Sequence, residues 1–403
     1  RVTNVLIDNG RIAAYDAVAT GGEQVIPAGG KIVSPGLIDL HVQLREPGRE
    51  EDETIESGTA AAVAGGFTSI VCLPNTEPPI DTQAGVEFIR QKAARAGNCH
   101  VLVAACVSKD RAGKELAEIG SLVEAGAVAF TDAPRSIQNA ELMRRAFEYC
   151  LMFDKPILSH PEDLELSHDG IMHEGTISML LGLEGLSVEA EDVMTSRDLR
   201  LAEATHGRLH LLNVSSHSSV DLIRRVKSRG VGVTAGVCMY NLVLTDDSLR
   251  TFDSNYKVDP PLRSQEHVEA CLQGLKDGTL DVISSAHAPR ASEKKMLELD
   301  QAPFGMVGLE TLLGLVITKL IKPGHLDWLT ALEKLTINPA RVLGIPKGTL
   351  AIGAEADVTI IDPDFTWTVD PKQFRSKSPN TPFGGWTLQG RAVQVLVSGE
   401  PRL

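Results

Sequence analysis

Short apolar runs alternate with longer amphipathic stretches through most of this 403-residue chain. The runs have the length and apolar character of buried strands, and the stretches between them, for example 83–97, 139–151 and 217–230, have helical periodicity. Strands that alternate with helices in this way predict a parallel (β/α)8 barrel of the TIM type. The eight runs are 36–40, 68–73, 100–106, 127–130, 156–159, 209–212, 232–237 and 280–285.

The two ends of the chain follow a different pattern, in which apolar and polar residues alternate with period two. Turns at Asn9–Gly10 and Ser398–Gly399 separate such segments, which predicts a β-hairpin at each end. Neither end can bury a sheet face alone, so we expect both termini to form one small β-sandwich domain. This predicts a composite domain of 1–34 and 350–403 around a barrel domain of 35–349.

Composition and charge exclude several classes of protein. The net charge is −14 and no Lys or Arg run forms a basic stripe, which argues against a nucleic-acid partner. No apolar stretch approaches the ~20 residues that cross a membrane. The six cysteines are scattered without paired spacing. We therefore expect a reduced, cytoplasmic protein.

Polar residues follow six of the predicted strands, at the point where each strand ends. Barrel enzymes place their chemistry at this C-terminal rim, so these residues predict one concave polar site. The alternative is that they only begin the loops. They are His41, Asn75, Asp132, His160, Asn213 and His287.

Three motifs, LREPG (44–48), CLPNT (72–76) and INPAR (337–341), resemble those of the dihydroorotase family. The similarity is strongest to the bacterial type that works beside aspartate carbamoyltransferase, and it covers nearly the whole chain. The resemblance implies an amidohydrolase barrel in pyrimidine biosynthesis. It also implies one or two Zn²⁺ ions at the barrel mouth that activate a water, and an Asp that moves the proton.

The family's metal cluster and proton-shuttling Asp correspond to six positions, of which only His41 and His160 match. Amides replace two His ligands, and alanines replace the metal-bridging Asp and the proton-shuttling Asp. Amides are poor zinc ligands and alanine has no donor atom. Two imidazoles do not supply the three protein ligands of a catalytic zinc, unless Asp132 turns inward. The four replaced positions are Gln43, Ala133, Asn213 and Ala286.

The substrate-binding positions implied by the resemblance are also mixed. Arg45 and Asn75 match the residues with which the family grips the substrate carboxylate. Asp259 stands where the family has Asn, and Arg290 where it has His. A carboxylate disfavours an anionic ligand, unless Arg290 pairs with Asp259. Arg45 could instead pair with a carboxylate of its own loop and bind nothing.

These replacements predict a catalytically inactive relative with no cofactor, acting as an assembly subunit for aspartate carbamoyltransferase in a homo- or hetero-oligomer. One alternative is an active dihydroorotase, or related cyclic amidohydrolase, with an atypical zinc site of His41, His160 and Asp132. Another is a metal-free binder of a small carboxylate. The acidic run 51–53 predicts a solvated face or a docking edge, and the histidines outside the rim predict surface or loop positions.

Overall fold

The structure is a computed structural model that describes residues 2–18, 21 and 24–403. Strands occur at both ends and throughout the middle of the described chain. In order they are β1 (Val5–Asp8), β2 (Arg11–Tyr15), β3 (Ile32–Pro35), β4 (Leu37–Val42), β5 (Phe67–Cys72), β6 (His100–Ala105), β7 (Ala127–Phe130), β8 (Ile157–Ser159), β9 (Met172–His173), β10 (Gly185–Leu186), β11 (Leu209–Leu211), β12 (Thr234–Cys238), β13 (Val282–Ser284), β14 (Val358–Thr368), β15 (Thr387–Val397) and β16 (Glu400–Pro401).

Eight parallel strands form the barrel, in the order β4, β5, β6, β7, β8, β11, β12 and β13. A parallel bridge between Val42 and His287 joins the two outer strands of this sheet. There the Gln43 N–H donates to the His287 carbonyl at 2.9 Å. The eight predicted runs are therefore the eight barrel strands, and the predicted (β/α)8 architecture is confirmed.

Helices surround the barrel, and those predicted at 83–97, 139–151 and 217–230 are confirmed. Side-chain caps begin several of them, as at Thr82, Asn139 and Ser216, which satisfy N–H groups that lack a partner within the helix. The helices are α1 (Ile55–Ala64), α2 (Gln83–Ala96), α3 (Ile119–Ala125), α4 (Ala140–Leu151), α5 (Leu164–Ser167), α6 (Thr176–Leu181), α7 (Val188–Thr205), α8 (His217–Ser228), α9 (Tyr240–Val243), α10 (Gln265–Lys276), α11 (Ser292–Lys295), α12 (Leu309–Val316), α13 (Trp328–Glu333) and α14 (Ile337–Leu343).

Apolar side chains fill the barrel interior. One buried cluster contains side chains from most barrel strands, including Leu40, Val71, Leu158 and Val282. Leu343 of α14 packs in the same cluster. A larger cluster packs the outer faces of the strands against the helices. The lumen is thus mostly a packed apolar core, and the polar side chains considered below lie at its C-terminal mouth.

Strands from both ends of the chain lie outside the barrel. The strand order in the four-stranded sheet is β16, β15, β14 and β3. The early strand β3 pairs with β14 and so joins the sheet that the last three strands form. The hairpin β1–β2 forms a separate two-stranded sheet, joined by a bridge between Arg11 and Glu355 and by the packing of Ile12 against Val358 and Leu396. The exact domain boundaries remain a prediction.

Two expectations about individual residues change once burial is known. His173 and His210 are buried, although the sequence placed them on the surface or in loops. His210 lies in β11, where its Nδ1 is 2.9 Å from the Thr234 hydroxyl.

All six cysteines are buried and unpaired. In the described part of the chain, every helix is too short or too polar to cross a membrane.

Candidate functional site

The barrel mouth brings several of the predicted residues together in two hydrogen-bonded pairs. In the first, the Asn213 amide donates to His41 Nδ1. The amide is oriented by Ser284, whose hydroxyl donates to Asn213 Oδ1 at 3.1 Å. His41 Nδ1 is therefore occupied by a neutral donor. Burial and the nearby His160 lower the pKa of His41 to about 4, so this imidazole is neutral at pH 7.

The second pair joins the two amides that follow β4 and β5. Asn75 Nδ2 donates to Gln43 Oε1 at 2.9 Å. That oxygen is the only atom with which a neutral Gln side chain could approach a cation. Gln43 is buried and Asn75 is half-buried, so the pair closes one side of the mouth with uncharged groups.

Asp132 follows a barrel strand, and its carboxylate is bound by the neighbouring loop. Its carboxylate accepts the N–H groups of Val107 at 2.9 Å and Ser108 at 3.1 Å, as well as the Ser108 hydroxyl. These bonds hold it against the loop after β6. Asp132 is therefore not a free third ligand, because its carboxylate already accepts hydrogen bonds from Val107 and Ser108.

Alanines occupy two positions of the mouth where the resemblance implies carboxylates. Ala133 is buried in the interior cluster that includes Leu158 and Leu212. Ala286 is buried and has a positive φ of 47°. Positive φ is uncommon outside glycine, and Asp and Asn tolerate it best. The backbone at 286 thus keeps a shape that suits Asp, while the side chain has no donor.

His160 lies beside two carboxylates. Its Nε2 is 3.3 Å from Asp259 Oδ1 and 3.7 Å from Glu162 Oε2, so the protonated imidazole forms an ion pair with each carboxylate. Burial alone would lower the pKa of His160, but Asp259 and Glu162 outweigh burial and raise that pKa to about 10. The suggested pairing of Asp259 with Arg290 is wrong, since Asp259 contacts His160.

Arg290 instead lies beside the mouth, in a wall that also contains Arg45 and Asp52. Its Nε donates to the Phe304 carbonyl at 2.9 Å, and its Nη1 is 3.8 Å from Asp52 Oδ2. This arrangement follows from the loop after β13, which carries Arg290 past the mouth toward the buried Asp52.

Arg45 is buried at the same wall, with a positive φ of 62°. Its Nε donates to the Pro289 carbonyl at 3.1 Å. Its Nη2 is buried and has no hydrogen-bond partner among the described residues. Burial and the neighbouring Arg290 lower the pKa of Arg45. Among residues 2–18, 21 and 24–403, no carboxylate forms an ion pair with Arg45, so the suggested pairing within its loop is absent.

Asp52 and Glu53 are fully buried, so the predicted solvated acidic face is wrong at two of its three positions. Glu53 accepts hydrogen bonds from the Ser57 and Ser376 hydroxyls and from the Lys377 N–H, and lies 3.4 Å from His287 Nε2. These partners lower the pKa of Glu53 against the effect of burial. Glu53 thereby ties the loop after β4 to the loop before β15.

A second group of His and carboxylates lies at the opposite end of the barrel. His100, at the start of β6, is 3.4 Å from Glu355 and 3.1 Å from Asp357. Lys347 Nζ lies 2.7 Å from Glu355 and 2.6 Å from Asp357. The lysine already neutralises the carboxylates, so this group is an ion-pair network that links the barrel to the terminal strands.

Comparison with known proteins identifies the family of the chain. A family model described as Dihydro-orotase-like matches residues 30–219, and one described as Amidohydrolase family matches residues 304–402. A dihydroorotase from Pelotomaculum thermopropionicum is 51% identical over 397 residues, which cover 98% of this chain and 93% of that protein. The chain belongs to the dihydroorotase family. A putative dihydroorotase from Rhodopirellula baltica is 48% identical over 404 residues, covering 99% of this chain and 88% of that protein.

Solved structures show the same fold for this dihydroorotase-family chain. An L-hydantoinase (dihydropyrimidinase) from Arthrobacter aurescens has a TM-score of 0.88 at 26% identity, covering 99% of this chain and 92% of that chain. A dihydropyrimidinase from Brevibacillus agri has a TM-score of 0.85 at 22% identity, covering 99% and 91%. The amidohydrolase barrel expected from the sequence is confirmed.

Sequence reasoning missed Glu162 as a member of the site. It belongs to the segment HPED (160–163), which directly follows a barrel strand. Its position two residues after His160, at a strand end, is the signal that could have found it. The contact of His160 with Asp259 could not be found in this way, because Asp259 is 99 positions further along the chain.

Proposed function

We propose that this dihydroorotase-family protein does not open or close the dihydroorotate ring and instead acts as an assembly subunit for aspartate carbamoyltransferase, in a homo- or hetero-oligomer. Membership of the family supports a place in pyrimidine biosynthesis, since the similar proteins from several bacteria are named dihydroorotase. The bacterial type that the sequence resembles works beside that transferase, which suggests the partner.

The observation that carries the proposal is the donor set of the mouth. A binuclear zinc centre needs several imidazole or carboxylate ligands about 2 Å from each ion, with one ligand shared by both ions. Here the shared position is Ala133, and the Asn213 and Gln43 amides are bonded to His41 and Asn75. The residues present therefore do not fit the family's two-zinc centre.

The proton shuttle is missing as well. Ala286 stands where the resemblance implies the Asp that moves the proton, and Asp132 is held by Val107 and Ser108. Loss of a general acid or base alone costs on the order of 10²–10⁴ in rate. The mouth can position polar groups, but it has no base placed to activate a water in the family's manner.

The assembly role is tested by mixing the purified chain with purified aspartate carbamoyltransferase from the same organism. We expect co-elution in size-exclusion chromatography with light scattering, at a mass above that of either protein alone. We also expect the oligomeric state or activity of the transferase to change when the chain is added. Independent elution, with no change in the transferase, would exclude the assembly role.

Arg45 supports a second candidate function, the binding of a small carboxylate. In the described part of the chain its Nη2 is a buried donor without a partner, and such a group is costly unless a ligand or water satisfies it. Calorimetric titration with N-carbamoyl-aspartate and dihydroorotate tests this candidate, with Arg45→Met as the matched variant. Heat of binding in the wild type that is lost in Arg45→Met would support it, and the absence of heat would exclude it.

A further inference from the structure

His160, Glu162 and Asp259 form a compact group at the edge of the mouth. One ligand atom from each side chain lies within 4.8 Å of the others. We propose that these three side chains bind one divalent cation, for which Zn²⁺ is the best match. Only His160 belongs to the family's metal positions, so the ligand set is a new one. The proposal does not depend on the assembly role.

The distances match those expected around a tetrahedral ion. Zinc binds His nitrogen and carboxylate oxygen at about 2.0–2.2 Å, which places neighbouring ligand atoms of a tetrahedron about 3.3–3.5 Å apart. His160 Nε2 is 3.3 Å from the Asp259 oxygen and 3.7 Å from the Glu162 oxygen. Only small side-chain movements are therefore needed to bring all three atoms onto one ion.

His160 is a buried imidazole whose nearest charged neighbours are two carboxylates, and either a proton or a metal ion can occupy the nitrogen between them. It is buried, and neither ring nitrogen has a hydrogen-bond partner among the described residues. Most buried polar groups do have a partner, so each exception needs an explanation. A cation between the imidazole and the two carboxylates would supply one.

The charges of the group also favour a cation. Within the described part of the chain, no Lys or Arg forms an ion pair with Glu162 or Asp259. The group at the other end of the barrel has the same composition of one His and two carboxylates, but Lys347 lies between its acids. Among the described residues, the cation nearest to the two carboxylates of the mouth group is the protonated imidazole of His160 itself. A divalent ion would displace that proton and balance the two negative charges.

The site has room for a further ligand. A cavity of about 20 Å³ is bounded by the three side chains together with Asn213, Pro260 and Arg263. A single water needs about 10–15 Å³ in the same measure. Three protein ligands and one water complete a tetrahedral zinc shell. Because position 286 is Ala, filling this site does not restore the family's proton shuttle.

Metal binding is tested on the full chain after removal of metals with a chelator. Calorimetric titration with Zn²⁺ is expected to show one site per chain, and Co²⁺ is expected to give the intense visible bands of four-coordinate cobalt. Asp259→Asn and Glu162→Gln, which keep side-chain size but remove a charged ligand, should each weaken Zn²⁺ binding at least about tenfold. Glu165→Gln, which neutralises an exposed carboxylate of α5, should not change it.

The proposal is overturned if the wild-type chain takes up no stoichiometric Zn²⁺. It is also overturned if binding persists unchanged in both ligand variants, because the cation would then lie elsewhere. Thermal melting of each variant without metal checks that it is folded. If either variant fails to fold, the wild-type stoichiometry and cobalt spectrum still decide the matter, since six-coordinate cobalt with weak bands would contradict the assigned ligand set.

Discussion

The barrel mouth has two halves that differ in their buried polar side chains: one half is charged and the other is neutral. We call the loop after β4 and its buried partners the frame half, whose charged members are Arg45, Asp52 and Glu53. Here Glu53 is held by hydroxyls, a backbone N–H and His287. In the metal half, which comprises Gln43, Ala133, Asn213 and Ala286, neutral amides bond to Asn75 and His41, and alanines fill the remaining positions.

The difference shows which parts of an active-site scaffold depend on a metal. In the frame half, Glu53 has its partners from the protein itself, so it keeps its function in folding without any ion. Arg45 differs, because its Nη2 has no hydrogen-bond partner among the described residues. Carboxylate and imidazole ligands packed around an absent ion would be buried without partners, at a cost of about 1–3 kcal/mol or more for each group. The neutral side chains of Gln43, Asn213 and the two alanines avoid that cost, whereas His160 retains two carboxylates as its neighbours.

The largest expected effect comes from restoring the metal half on the existing frame. The combined variant Gln43→His, Ala133→Asp, Asn213→His and Ala286→Asp should gain zinc-dependent dihydroorotate hydrolysis. The expected rise over the wild-type background is on the order of 10⁴, the scale of a recovered metal-activated water and proton shuttle. The triple variant that keeps Ala286 serves as the control. Equal rates for both variants would refute the shuttle position.

The frame half should dominate stability. Glu53→Gln removes a buried charge from four contacts and should lower the free energy of unfolding by about 3–5 kcal/mol. Gln43→Met, in the metal half, should cost less than about 1 kcal/mol, because half-buried Asn75 can turn to water. Urea unfolding of both variants measures the contrast. Equal losses would mean that the two halves do not differ as described.

The metal half should also show a specific dependence on pH. The pKa of His41 is about 4 in the folded chain and 6.5 in the unfolded chain, so the unfolded state binds more protons between these values. The stability from neutral His41 is complete above pH 6.5 and falls by roughly 3 kcal/mol toward pH 4. The free energy of unfolding, measured with urea at several pH values in this window, should depend on pH less steeply in His41→Gln than in the wild type. The exposed His206→Gln variant should keep the wild-type slope, and a wild-type slope in His41→Gln would contradict the assignment.

The smallest effect concerns the backbone at position 286. Ala286 has a positive φ, which costs L residues other than Asn and Asp roughly 1–2 kcal/mol. Ala286→Gly should relieve this strain, which stabilises the folded state. The larger conformational entropy of Gly in the unfolded chain offsets part of this gain, so the free energy of unfolding should rise by up to about 1 kcal/mol. Thermal or urea unfolding measures the change, and a loss of stability would show that the Ala286 methyl contributes more by packing.

Much of the fold could be predicted from sequence because its signals are local. Each barrel strand is a short apolar run, and hairpin turns mark both ends. The burial of Asp52 and Glu53 could not be predicted, because three consecutive acids resemble a solvated face and the partners Ser376 and Lys377 lie more than 300 residues away. The orientation of Asp132 depends similarly on Val107 and Ser108 of a neighbouring loop.

The central claim is that the mouth of this dihydroorotase-family protein does not turn over the family's substrate. The most direct measurement follows dihydroorotate hydrolysis, and ring closure of N-carbamoyl-aspartate, with the purified and zinc-supplemented wild-type chain. We predict rates equal to those of buffer with the same zinc concentration. Turnover that co-purifies with the chain and disappears in both His41→Ala and His160→Ala would contradict the account.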